Sequence, residues 1–191
     1  MARVRDSGMP PREQWESYFD AQGVLEALGC RALDGDVLEF GCGYGTFAIP
    51  AARRTQGAVF ALDLDPHMVA ATADRARGAG LTNVRAEQRD FVAAGSGRPS
   101  RSVSYALLLN ILHLEDPLTL LRETHRVLAP GGAAGVIHWR GDVATPRGPP
   151  LAVRPDPAQC QAWALEAGFS GASARELRGA PWHWGLVLAR A

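Results

Sequence analysis

Residues 36–45 read Asp-Val-Leu-Glu-Phe-Gly-Cys-Gly-Tyr-Gly: an apolar run interrupted by one carboxylate, Glu39, that breaks into three glycines, Gly41, Gly43 and Gly45. Glycines where a strand turns into a helix let a ligand come close to the backbone. The spacing is Gly-x-Gly-x-Gly, and the dinucleotide fingerprint would need its third glycine where Thr46 stands. Glu39 would repel a pyrophosphate and attract a ligand that carries an amino group. Together these features favour S-adenosylmethionine over a nicotinamide cofactor.

About twenty residues further on, the next apolar run closes on Ala61-Leu62-Asp63-Leu64, where an acid can take both hydroxyls of a ribose. A third run is followed by Asp90 and Phe91, which can accept from an adenine amino group and lay an aromatic face on its ring. Strand ends of a doubly wound sheet converge on one crevice, so the three acids belong to a single site. His113 follows the fourth strand at the mouth of that crevice, where an imidazole can deprotonate a hydroxyl or an amine.

Other candidates carry less. His138 reads as a core group, His67 and His125 as solvent-facing, and His183 points away from Trp182 and Trp184 by strand alternation. Cys42 reads as a small buried residue rather than a nucleophile. Cys30, Cys42 and Cys160 form no Cys-x-x-Cys pair, so neither a disulfide framework nor a metal site is expected. Arg140, Arg147 and Arg154 can grip an anionic substrate or serve as ordinary surface bases. Trp15, Tyr18 and Phe19 can form a lid over the cofactor or simply pack a helix face. All twenty basic side chains are arginine, which excludes Schiff-base chemistry and the P-loop lysine.

Positioning these residues takes strands that end together, and apolar runs do alternate with helical patterns, as in an α/β fold with a largely parallel sheet. Residues 11–28 predict one or two helices broken near Gly23, and strands are predicted at 37–40, 58–62, 84–87, 103–109 and 133–139. A helix is predicted over 46–54 despite Pro50, which is tolerated only within a first turn. Asp65-Pro66, Asp116-Pro117 and Asp156-Pro157 each put proline behind a capping aspartate and start a helix. The second of these helices stops at a Pro130-Gly131-Gly132 turn. Residues 140–156, rich in proline, predict a long functional loop, and strands at 172–177 and 182–189 predict an antiparallel hairpin at a sheet edge.

The 191 residues suit a single domain. Twenty acids balance twenty bases, which gives no electrostatic support to nucleic acid or a membrane surface as partner. Arg3, Arg5, Asp6, Arg12 and Glu13 precede no apolar stretch, and the expected location is cytoplasmic.

The chain resembles the class I S-adenosylmethionine-dependent methyltransferases, particularly the small-molecule type related to quinone-biosynthesis methyltransferases. The likeness rests on the glycine motif, residues 61–68, Asp90-Phe91, Leu109-Asn110-Ile111-Leu112-His113 and residues 126–132. It implies a Rossmann-like, doubly wound α/β fold with helices on both faces of a seven-stranded sheet, order 3-2-1-4-5-7-6, strand 7 antiparallel. Residues 1–35 would form a helical lid and residues 36–191 the binding domain. Glu39 would serve the methionine amino group, Gly41 and Gly43 the amino-acid tail, and Asp63 the ribose. Asp90 and Phe91 would serve the adenine and Asn110 the sulfonium side, with Gly45 and Leu64 completing the cofactor-binding set. Ser104 departs from the aspartate that often opens the fourth strand, away from these contacts. The expected activity is methyl transfer to a small molecule by a monomer or homodimer, with His113 as base if the acceptor is a hydroxyl. The alternative is a non-catalytic sensor or scaffold that binds S-adenosylmethionine or S-adenosylhomocysteine.

Overall fold

The structure, a computed structural model, describes residues 8–191; residues 1–7 of the expected lid lie outside it. Apolar runs become strands β1 (Val37–Phe40), β2 (Val59–Asp63), β3 (Val84–Gln88) and β4 (Val103–Leu109). β5 (Leu128–Trp139), β6 (Gly171–Arg175) and β7 (His183–Ala189) follow. They form one sheet in the order β3-β2-β1-β4-β5-β7-β6. β7 runs antiparallel to both β5 and β6, and the other pairs are parallel. Order and direction agree with those implied by the resemblance. The C-terminal ends of β1, β2, β4 and β5 therefore open on one edge. The antiparallel register pairs Trp139 with His183, which brings the start of β7 to the same edge.

Helices α1 (Arg12–Glu16), α2 (Ala21–Ala27), α3 (Ala48–Ala52), α4 (Pro66–Gly78), α5 (Phe91–Ala94), α6 (Pro117–Val127) and α7 (Pro157–Glu166) connect or flank the strands. The three aspartate-proline devices work as read. Asp65 caps His67 N–H, Asp116 caps Thr119 N–H and Asp156 caps Gln159 N–H, each with proline at the start of the helix. Alternation along the central strands splits the core in two. Leu38, Phe40, Ala106 and Leu108 face Leu120, Leu121, Val127, Cys160 and Ala164 on one side. Val37, Val59, Tyr105 and Leu107 face Val24, Leu25, Leu28, Ala48 and Ala51 on the other. Both faces of the central strands are thus covered, as a parallel sheet requires.

Three local expectations are corrected. The break between the first helices falls after α1 and before α2, at residues 17–20, because Asp20 N–H is held by the Gly179 carbonyl at 2.6 Å. Gly23 lies inside α2, its N–H capped by Asp20. β5 runs back through Pro130-Gly131-Gly132, read above as a turn, because Arg190 N–H donates to the Gly132 carbonyl and Gly131 N–H to the Arg190 carbonyl. His125 is half-buried with its ring against Phe169, while His67 is exposed as expected. Among the described residues no helix is long and apolar enough to cross a membrane.

Tyr105 crosses beneath α2 to donate to the Leu28 carbonyl, and Gly135 makes room for it. A Cβ on Gly135 would stand 2.8 Å from the Tyr105 hydroxyl and 3.1 Å from Leu28 Cδ1. Gly135→Ala should cost roughly 1–3 kcal/mol, read as a lower denaturation midpoint in urea.

Candidate functional site

β1 delivers Glu39 to the open edge between Ala61 of β2 and Leu107 of β4. The residue is 1% exposed, and its Oε2 has no hydrogen-bond partner. Burial pushes its carboxyl well above the usual 4.5, the neighbouring Asp63 charge adds to the rise, and the Ala48 N–H opposes it. A buried carboxyl with an orphan oxygen is costly unless a donor or a cation completes it.

Past Phe40 the chain turns through Gly41, Gly43 and Gly45, with φ of +75°, +53° and +70°, a region that favours glycine. The turn is sewn to the end of β2. Gly41 and Cys42 N–H donate to the Leu62 carbonyl at 2.8 and 2.9 Å, and Gly43 N–H donates to Asp63 Oδ2 at 2.8 Å. Asp63 Oδ1 accepts from Asp65 N–H at 3.0 Å. Burial raises the Asp63 pKa, and the donors from Asp65 and Gly43 pull it back down. A carboxylate offers about four acceptor sites, so two bonds hold Asp63 in place with capacity left for a ligand. Leu64 follows, its carbonyl accepting from Gln88 at 3.3 Å.

Asn110 directly follows β4 in the left-handed region at φ +57°, anchored by its N–H to the Ile137 carbonyl at 2.9 Å. Both polar atoms of its side chain are buried without a partner. A non-glycine residue held in that conformation with an unsatisfied amide is the kind of strain that collects at binding sites. Asp90 and Phe91 stand at the end of β3. Asp90 Oδ1 caps α5 through Ala93 N–H at 3.0 Å, and Phe91 packs edge-on against Phe40 in the core at 5.3 Å. This contact fixes the Phe91 ring against the core just past the end of β3.

The model of the family described as a methyltransferase domain matches residues 37–132, from the first residue of β1 to the glycine pair in β5. The chain belongs to this methyltransferase-domain family. Its fold is shared by a SAM-dependent methyltransferase from Aquifex aeolicus, at 22% identity and TM-score 0.77, covering 94% of each chain. The [4+2]-cyclase SpnF has TM-score 0.71 at 21% identity, covering 97% of this chain and 84% of that one. Phosphoethanolamine N-methyltransferase 2 from Haemonchus contortus, solved with phosphomonomethylethanolamine and S-adenosylhomocysteine, has TM-score 0.66 at 20% identity, covering 81% of this chain and 37% of its own. No curated protein matches the chain. None of these findings bears on the quinone-biosynthesis resemblance.

On the other half of the edge, this methyltransferase-family chain gathers histidine and aromatic side chains. His113 Nδ1 lies 3.2 Å from His138 Nε2, and His138 Nδ1 lies 3.3 Å from the Trp139 carbonyl. His138 is fully buried, and burial, then the charge of His113, pushes its pKa down to about 3. His183 faces away from Trp184, as alternation predicts. Its ring sits between Phe19 and Trp139, with centroids at 4.7 and 4.1 Å, and both its nitrogens lack partners. Tyr18 meets Trp139 and Trp182, and Phe19 meets Phe47.

The segment before α1 straps the glycine turn. A Cβ on Gly43 would lie 3.1 Å from Met9 Cε, and the Tyr44 hydroxyl donates to the Pro10 carbonyl at 3.0 Å. Glu16 pairs with Arg75 of α4. These contacts join residues far apart in sequence, so no local pattern announced Met9, Glu16 or Arg75. The three loop arginines are engaged within the chain. Arg140 pairs with Asp142, Arg147 donates to the Gly8 carbonyl, and Arg154 donates to the carbonyls of Pro149 and Arg140 and to Thr145. Burial raises the Cys42 thiol, as suits an inert side chain. Among the described residues no cluster can hold a metal.

The folded state holds the Glu39 proton more tightly than the unfolded chain, so stability falls as pH climbs from 4.5 toward the raised folded value. Glu39→Gln has no such loss. Its melting temperature should exceed that of the wild type by a margin that widens from pH 4.5 upward, at roughly 2–4 °C per kcal/mol. Scanning calorimetry of both proteins across that range checks it.

Proposed function

We propose that the chain is an S-adenosylmethionine-dependent methyltransferase acting on a small-molecule acceptor. The observation that carries the reading is the pair of unsatisfied buried groups, Glu39 Oε2 and the Asn110 amide, on adjacent strand ends beside the glycine turn. Buried polar groups are normally paired, and a zwitterionic ligand would pair these. The donor set fits S-adenosylmethionine. Glu39 complements its ammonium, the backbone at Gly41, Gly43 and Gly45 admits its amino-acid tail, and Asp63, beside Leu64, keeps acceptor capacity for two ribose hydroxyls. Asn110 faces the sulfonium end, and the β3 end with Asp90 and Phe91 takes the adenine. When bound, the cofactor supplies a methyl group on a positively charged sulfur.

Residues 8–35 serve as a lid on the domain formed by residues 36–191, through the Met9, Pro10 and Glu16 contacts. Excluding water and holding the acceptor at near-attack distance account for most of the catalysis, on the order of 7–11 kcal/mol from positioning. His113 accepts the proton of a hydroxyl acceptor. The phosphoethanolamine enzyme acts on an amine, whereas the cyclase carries other chemistry on this fold, so the acceptor class is open to screening.

Transfer of labelled methyl from S-adenosylmethionine should be measured across phenols, amines and thiols. Transfer to one class supports the reading, and cofactor binding with no transfer in any class would favour the sensor. With a hydroxyl acceptor, His113→Ala should lower kcat by roughly 10²–10⁴-fold while S-adenosylhomocysteine affinity stays within about twofold. An unchanged kcat would remove His113 as the base.

A further inference from the structure

Two histidines 25 residues apart meet at the open edge, and a carbonyl oxygen fixes the direction of their hydrogen bonds. The Trp139 carbonyl can only accept, so His138 Nδ1, 3.3 Å away, carries the proton of that bond. A neutral imidazole has one N–H and one lone pair, which leaves His138 Nε2 as the acceptor. His113 Nδ1, 3.2 Å from it, must then be the donor. The lone pair of neutral His113 accordingly falls on Nε2.

We propose that His138 is a positioning residue that locks His113 into its Nδ1–H tautomer and makes Nε2 its basic nitrogen. The relay runs from His113 through His138 to a backbone carbonyl, with a neutral ring in the orienting place where hydrolase triads put an aspartate. The inference deepens the proposed function and rests on His113 being the base there.

The surroundings keep His138 neutral and fixed. It is fully buried, and burial first, then any positive charge on nearby His113 or Arg154, disfavours its charged form. The Trp184 ring stacks over it at 6.1 Å from the register-paired position in β7, with its indole N–H held by the Pro155 carbonyl at 3.1 Å. A neutral second imidazole has a specific consequence. It orients the His113 ring through a hydrogen bond while itself bringing no charge to that ring. The balance is simple: His113 Nε2 gains the proton that the acceptor hydroxyl loses, and the bonds to His138 and Trp139 keep theirs.

The test is long-range proton–nitrogen correlation NMR on the full chain labelled with nitrogen-15 histidine, at a pH where His113 is neutral, for wild type, His138→Phe and His138→Gln. A solvated neutral histidine side chain prefers the Nε2–H form, so the relay makes an opposite and specific prediction. Wild-type His113 and His138 should both show the Nδ1–H pattern. His138→Phe should move His113 to Nε2–H, whereas His138→Gln, whose carboxamide oxygen can replace ring Nε2, should retain Nδ1–H. Turnover with a hydroxyl acceptor should fall roughly 10- to 100-fold in the Phe variant, with KM for S-adenosylmethionine unchanged, and recover in the Gln variant. An Nε2–H pattern for His113 in the wild type, or one insensitive to His138→Phe, would overturn the proposal. The wild-type spectrum decides even if the Phe variant does not fold. The tautomer readout needs no acceptor, so it stands or fails apart from methyl transfer.

Discussion

A carboxyl group held almost wholly out of water at the end of β1 is the constraint around which the rest of the site is arranged. Glu39 is flanked by strands on both sides and lies next to a second acid, Asp63, so it occupies a place where ionisation is disfavoured twice over. Nothing in core packing calls for such a residue, because an apolar side chain would fill the position at lower cost. Its retention makes sense once the glycine turn is included. That turn ties its backbone N–H groups to the Leu62 carbonyl and to Asp63 and leaves Glu39 Oε2 for a donor or a cation to complete. Methyltransferase family membership and this local strain point to the same kind of ligand.

Asymmetry along the edge follows from the sheet order. β1, β2 and β3 bring acids and glycines to one half, the side suited to a positively charged, hydroxyl-rich cofactor. β4, β5 and the antiparallel β7 bring His113, His138, Trp139 and His183 to the other half. Because β7 runs opposite to β5, its first residues rather than its last reach this edge, and the Trp182–Trp184 stretch contributes to it. The N-terminal segment touches both halves, through Met9 and Glu16 on one and Tyr18 and Phe19 on the other.

Much of this was legible in the sequence, for reasons that are local. Strand-to-glycine junctions, aspartate-proline caps and apolar alternation are set by neighbours within a few residues, and they drew attention to Glu39, Asp63 and three of the helices, whereas Asn110 came only from the family resemblance. What failed was decided at long range. The break between α1 and α2 depends on Gly179 holding Asp20, and the length of β5 depends on Arg190. Arg140, Arg147 and Arg154 could be read as anion ligands or as ordinary surface bases, and only the folded loop shows their donors turned onto its own carbonyls, Asp142 and the N-terminal segment. The pairing of His113 with His138 could not be read, since the two lie on different strands' ends and only the sheet register joins them.

Calorimetric titration with S-adenosylhomocysteine, repeated in buffers of different ionisation enthalpy, counts the protons exchanged on binding and tests most directly whether the buried acid exists for the cofactor. An ammonium arriving beside Glu39 lowers its raised pKa, so binding near neutral pH should release protons to the buffer. Glu39→Gln should bind more weakly and release none. Absence of binding to the wild type, or tight binding without proton release that is indifferent to Glu39→Gln, would contradict the account.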